Sequence, residues 1–246
     1  MLAATEAAED RHFWFKGLRR NARALLEAAM GPQSVGRIVD CGSGTGRNLD
    51  WLGDYGLAVG VEQSPAGLTA GRAYRRRLVR ATVTQLPLAD ASMDIATSFD
   101  VLYCLDDRSE RLAVREMWRV LKPGGMAIIN VAALDILRGS HSTLTMEVRR
   151  YTPKRLKAVL VEAGFVVERM TFANMATFPM ALAVRLFERI TGRADTASDA
   201  DLQVPARPVN AVLNAALALE NRILRVVNLP IGSSLLCVAR KPLTAS

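Results

Sequence analysis

VDCGSGTGRNL, residues 39–49, is a short apolar run that ends in three alternating glycines and then polar, helix-opening residues. Arg37 to Cys41 reads as a buried parallel strand, and a helix is expected near Arg47 to Leu52. Gly42, Gly44 and Gly46 remove side chains where the strand turns into the helix, so a ligand can approach the backbone and meet free N–H groups at the helix start. Position 47 is Arg, so the third glycine of the dinucleotide pattern G-x-G-x-x-G is missing. Asp40 closes the first strand. A second strand, Leu57 to Val61, is followed by Glu62, whose carboxylate is placed to accept both hydroxyls of a ribose.

Outward from this turn, strands and helices alternate. Ser64-Pro65 opens a helix as N-cap and first helical residue. Strands are expected near 78–82 and 93–99. A helix is expected from about Asp107, with Glu110 three residues on as the far half of a capping-box-like pair. Lys122-Pro123-Gly124-Gly125 ends it and leads to a strand over 126–131. Thr152-Pro153 caps a further helix that stops at Gly164, and a strand over 165–172 pairs with one over 234–239. The expected fold is α/β: a Rossmann-like, mostly parallel sheet with helices on both faces. It forms one domain over residues 1–246. An N-terminal helix runs from about Thr5 to Met30, within a covering segment 1–31, and a helical insertion fills 174–231. Two apolar, helix-period stretches, 175–191 and 209–227, make up that insertion, joined by a polar link over 192–208.

Composition narrows the classes. Half of the 246 residues are apolar, which supports a large core. The first dozen residues carry Glu6, Glu9 and Asp10 with no apolar run, so no secretory leader is expected. The longest uncharged stretch, Met170 to Val184, is interrupted by Pro179 and too short to span a bilayer. Cys41, Cys104 and Cys237 have neither metal spacing nor a disulfide framework, so no metal site is expected and a cytoplasmic location is. The net charge of +8 comes from scattered arginines, a weak pointer to an acidic partner.

Five segments, in order, carry a resemblance. VDCGSGTG, GVEQSPAGL (60–68), QLPLADASMDIATSFDVL (85–102), REMWRVLKPGGMAIINV (115–131) and RRYTPKRLKAVLVEAGF (149–165) resemble the class I S-adenosylmethionine-dependent methyltransferases, in particular those acting on small molecules and quinone-like compounds. The resemblance implies a seven-stranded sheet with an antiparallel last strand and S-adenosylmethionine as cofactor. Asp40 and the turn Gly42, Ser43, Gly44, Thr45, Gly46 would hold its methionine part, Glu62 the ribose, with Gln63 beside the adenine. Gln85 and Leu86 would flank the adenine, and Phe99 would line the methionine end. Two departures stand out. Thr82 occupies the position where the family often has an acid, and Tyr103-Cys104 replaces the Glu-His of the relatives' D-V-L-E-H-L.

A sulfonium methyl is already activated, so the protein chiefly aligns the acceptor and excludes water; a base is needed only for a protonated acceptor. The candidate catalytic groups are His141, Tyr103 and His12. His141 reads as a base or a hydrogen-bonded loop histidine, and His12 as a helix face closing the core. Trp14, Arg149 and Tyr151 are the candidate substrate contacts. The insertion is open to three readings: a lid over an apolar pocket, a homodimer surface, or peripheral contact with anionic membrane, its apolar stripe interrupted by Asn210, Asn214 and Glu220. The leading function is methyl transfer to a small molecule, with oxygen ahead of carbon and nitrogen. Against an RNA or protein methyltransferase, no Asn-Pro-Pro-Tyr-like motif and no RNA-binding module is present, so nucleic acid is not an expected partner. A non-catalytic cofactor-binding protein is the rival from another class.

Overall fold

The structure, a computed structural model, describes residues 6–30, 36–139, 147–191 and 203–243. Seven strands form one sheet: β1 (Arg37–Cys41), β2 (Leu57–Glu62), β3 (Leu78–Arg80), β4 (Met93–Phe99), β5 (Leu121–Ala132), β6 (Val166–Ala173) and β7 (Ser234–Arg240). Their order is β3-β2-β1-β4-β5-β7-β6. β1 to β5 pair in parallel, and β7 runs antiparallel to both β5 and β6. The seven-stranded sheet with one antiparallel strand inserted late is as expected.

Successive side chains of a strand face opposite ways, and here both faces are covered. Val39, Val61 and Ile129 face the core beneath α4 (Asp107–Val120) and α5 (Pro153–Glu162). Ile38, Ile95, Ile128 and Leu236 face the opposite core, with α1 (Phe13–Met30) and α2 (Asn48–Leu52). A further helix, α3 (Pro65–Ala73), follows β2, with Ser64 Oγ accepting from the Gly67 N–H at 3.4 Å. Thr152 caps α5 in the same way.

Several local expectations shift. The N-terminal helix is broken: residues 6–8 are helical, a turn follows, and α1 starts at Phe13. The break is held by other bonds. Phe13 N–H donates to Asn210 Oδ1 at 3.0 Å and Trp14 N–H to His12 Nδ1 at 3.2 Å, which satisfies two helix-start donors. The cap of α4 is Asp106, accepting from Ser109 N–H at 2.7 Å; Glu110 is instead fully buried. The Lys-Pro-Gly-Gly segment lies inside β5 at an irregularity in its pairing with β4.

Between β6 and β7 lie α6 (Phe178–Ile190) and α7 (Arg207–Leu224). α7 packs along α1, where a Cβ on Gly17 would stand 2.6 Å from Leu217 Cδ1. The polar residues that interrupt its stripe are spent inward. Asn210 caps α1, Asn214 accepts from Arg20, and Glu220 accepts from the Asn174 and Ala176 N–H groups. No helix of the described residues is long and apolar enough to cross a membrane.

Candidate functional site

Gly42, Gly44 and Gly46 take φ of +78°, +56° and +74°, conformations that exclude most side chains. A Cβ on Gly42 would collide with Val101 Cγ2, so the segment after β4 lies directly against the turn. The turn's amides are not free as the sequence suggests. Gly42 and Ser43 donate to Val61 O, Gly46 to Ser43 O, and Gly44 to Glu62 Oε2 at 2.8 Å. Glu62 Oε1 also accepts from Ser64 N–H at 2.7 Å, so this carboxylate ties the turn to the start of α3.

Asp40 is fully buried. Thr97 Oγ1 donates to its Oδ1 at 2.7 Å, while its Oδ2 and the Ser43 hydroxyl have no hydrogen-bond partner among the described residues. Burial pushes the Asp40 carboxyl up to about 6, against the Thr97 bond. Leu86 is buried, its N–H donating to Glu116 Oε2, and Phe99 is buried against Trp51. Gln63 and Gln85 are exposed. The N-terminal segment crosses the turn: Thr45 Oγ1 donates to Glu9 Oε1 at 2.6 Å, and Arg47 Nε to Asp10 Oδ1 at 2.6 Å.

A methyltransferase-domain family model matches residues 39–129, from the glycine turn through β5. The matched segment is a methyltransferase domain of the kind found in the class I S-adenosylmethionine-dependent methyltransferases. A demethylmenaquinone methyltransferase of Roseiflexus sp. (strain RS-1) is 39% identical over 136 residues, covering 52% of this chain and 54% of that one. The chain thus spans about half the length of that curated relative. Among solved structures, a SAM-dependent methyltransferase of Thermotoga maritima matches with a TM-score of 0.59 at 20% identity, over 98% of this chain and 99% of that one. A Burkholderia thailandensis 1,6-didemethyltoxoflavin-N1-methyltransferase, solved with that compound and S-adenosylhomocysteine, matches with a TM-score of 0.56 at 18% identity, over 98% and 88% of the two chains.

The family's cofactor is S-adenosylmethionine, and this class I site has the chemistry for it. An unpartnered buried carboxylate oxygen suits its ammonium, a second acid ends β2, and side-chain-free backbone lies between them. If Asp40 holds the ammonium, its ionised form is the binding form. In the free protein Asp40 keeps its proton up to about pH 6, so affinity should rise from about pH 5 to 7, with proton release on binding, and then level off. Asp40→Asn should flatten that dependence. Calorimetry in two buffers of different ionisation enthalpy reads it, and an equal pH slope in both proteins would refute the assignment.

Beside the turn, at the same edge of the sheet, opens a cavity of about 320 Å³. His12, Phe13, Trp14 and Phe15 from the start of α1 form one wall, and Met180, Ala181 and Val184 of α6 another. Its polar lining includes Asp100, Tyr103, Glu147, Arg150, Arg185 and Ser234. The structure therefore brings Trp14, Tyr103 and His12 together. His12 is buried, and its Nδ1 accepts from Trp14, which puts the proton of the neutral ring on Nε2. Burial and nearby Asp100 hold the Tyr103 phenol well above its usual range, so it donates rather than accepts protons. His141 lies outside the described residues.

Arg149 and Tyr151 do not line the cavity. Arg149 pairs with Asp107 at 2.9 Å and Leu105 O at 2.5 Å, and Tyr151 is fully buried with its hydroxyl on Glu110. Arg150 lines it instead, paired with Glu147 at 2.5 Å. Sequence reasoning missed Asp100 and Glu147; it reads Arg149-Arg150 as a pair that either binds an anionic substrate group or is solvated. Asp100 stands directly after β4 at the ligand-bearing edge, a signal that was available. Nothing in the sequence distinguishes Arg150 from Arg149.

Proposed function

We propose that this chain transfers the methyl group of S-adenosylmethionine to an oxygen of a small, ring-bearing acceptor. The cavity carries the reading: it has the size of a small-molecule site, aromatic rings on one wall and a few convergent polar groups. The rings are mutually braced, with His12–Phe13 stacked at 4.5 Å and Trp14–Phe15 edge-on at 5.0 Å. The name of the Roseiflexus relative, demethylmenaquinone methyltransferase, agrees with a quinone-like ring as acceptor.

In this reading the bound cofactor supplies an activated methyl group. The residues of the chain place the acceptor: Trp14 and Phe15 fix the plane of the ring, and Tyr103 donates to an acceptor oxygen. α6 acts as a partly open lid. Of its residues only Arg185 is buried, while Met180 and Val184 line the cavity at 45% and 42% exposure. Phe178 and Leu182 of the same helix do not line it. Arg189 holds the lid by donating to the Ile136 carbonyl at 2.9 Å.

A screen of hydroxylated aromatic and quinol compounds, with labelled cofactor and product mass, tests the proposal. Turnover of a ring acceptor is the expected result. Methylation of RNA or protein alone, or no turnover of any acceptor, would replace it with one of the rival readings. Trp14→Ala should raise KM for that acceptor about tenfold or more, the loss of one aromatic wall, with cofactor affinity unchanged.

A further inference from the structure

We propose that Asp100 is the catalytic base that takes the acceptor's hydroxyl proton. This inference rests on the ring-hydroxyl reading above, and its geometry comes from three observations. First, Asp100 lines the acceptor cavity, while Val101, its neighbour, packs on Gly42 of the cofactor turn. The residue therefore stands where the two halves of the site meet.

Second, Asp100 is held in a left-handed conformation, φ +61°, which non-glycine residues seldom adopt. Two bonds from β5 fix it there: its N–H donates to Asn130 O at 3.1 Å, and Asn130 Nδ2 donates to its Oδ1 at 2.8 Å. Among the described residues Oδ2 has no hydrogen-bond donor, which leaves one carboxylate oxygen for the acceptor.

Third, among the described residues the other titratable groups around the cavity are committed. Glu147 and Arg150 pair with each other, and His12 Nδ1 holds the Trp14 N–H. Tyr103 is held protonated by burial, and burial pushes the Cys104 thiol up to about 12. Arg185 of α6 pairs with Glu188 at 2.8 Å. Burial pushes the Asp100 carboxyl up to about 7, with Glu147 raising it and Asn130 and Arg150 opposing. A base in that range is suited to work near neutral pH.

The assigned step is a proton transfer. The acceptor's O–H bond breaks, its electron pair stays on oxygen as the nucleophile, and the proton moves to Oδ2 of Asp100. The carboxylate is the active form, so kcat should rise with pH through about 7 and then level off.

Asp100→Asn is the test variant, since asparagine also tolerates left-handed backbone and keeps the shape. It should lower kcat about 100-fold or more and abolish the rise with pH, with cofactor affinity preserved. A second readout needs no cofactor. 4-Nitrophenol is titrated spectroscopically while bound to each protein, its phenolate being coloured. Removing the carboxylate beside it should lower the pH at which the bound probe ionises, by about one unit. An identical titration in both proteins, or equal kcat from about pH 6 to 9 on an acceptor that wild type methylates, overturns the base assignment and leaves the acceptor reading intact. If wild type neither binds the probe nor methylates any hydroxylated ring, the acceptor reading falls and the base assignment with it.

Discussion

Glu62→Ala is expected to weaken S-adenosylmethionine binding by about 1.5–3 kcal/mol, roughly 10- to 150-fold, the usual worth of hydrogen bonds to a charged group. The residue acts in two ways. Its carboxylate ends β2, where it can accept the ribose hydroxyls, and it already accepts from the Gly44 and Ser64 N–H groups at 2.8 and 2.7 Å. It is also wedged tightly: a Cβ on Gly67 would meet Glu62 Cγ at 3.0 Å and Gly44 O at 2.6 Å. Alanine removes both the ribose partner and the brace that fixes the turn. Glu62→Gln retains one acceptor oxygen but sets an amide N–H₂ against one backbone N–H, so its loss should be smaller but clear. Calorimetry on folded variants decides it. Unchanged affinity in Glu62→Ala would remove the ribose role and leave Glu62 as a brace alone.

How much of this is legible in the sequence depends on how local the cause is. The caps at Ser64-Pro65 and Thr152-Pro153 depend on three or four consecutive residues, and both stand where the sequence puts them. β4 is a seven-residue stretch, MDIATSF, between turns, and its bounds are those expected. The start of α4 is less readable, because Asp106 and Asp107 are adjacent acids and only the extended backbone at 106 decides which one caps. The turn amides look free in sequence because their acceptors, Val61 O and Glu62, sit on another strand. The broken start of α1 has the same origin: Asn210, 197 residues away, caps Phe13. For the cavity, the aromatic run His12–Phe15 is visible as a cluster, but its partners on α6 are set by a helix rotation. That rotation puts Met180 and Val184 on the cavity wall rather than Phe178 and Leu182.

Glu110→Ala is expected to have the largest effect on stability, about 3–5 kcal/mol, because it removes one member of a buried charge network. Glu110 is fully buried on α4. It accepts from the Tyr151 hydroxyl, pairs with Arg155 at 2.8 Å, and lies 3.7 Å from Arg149. It thus clamps α4 to α5 and to the segment that brings Arg150 to the cavity. Without it the Tyr151 hydroxyl loses its acceptor in the core, and two guanidiniums lose a shared anion. For a chain of 246 residues the melting temperature should fall by roughly 6–20 °C. Tyr151→Phe removes only the donor and should cost about 1–1.5 kcal/mol. These two variants also separate the roles that sequence resemblance leaves open for Tyr151 and Arg149. If both residues serve the network, Tyr151→Phe lowers the melting temperature and leaves KM for the acceptor where it was. If Tyr151 touches the acceptor, KM rises while the melting temperature holds. The fully buried ring and its bond to Glu110 favour the first outcome, and a rise in KM at constant melting temperature would return Tyr151 to the substrate.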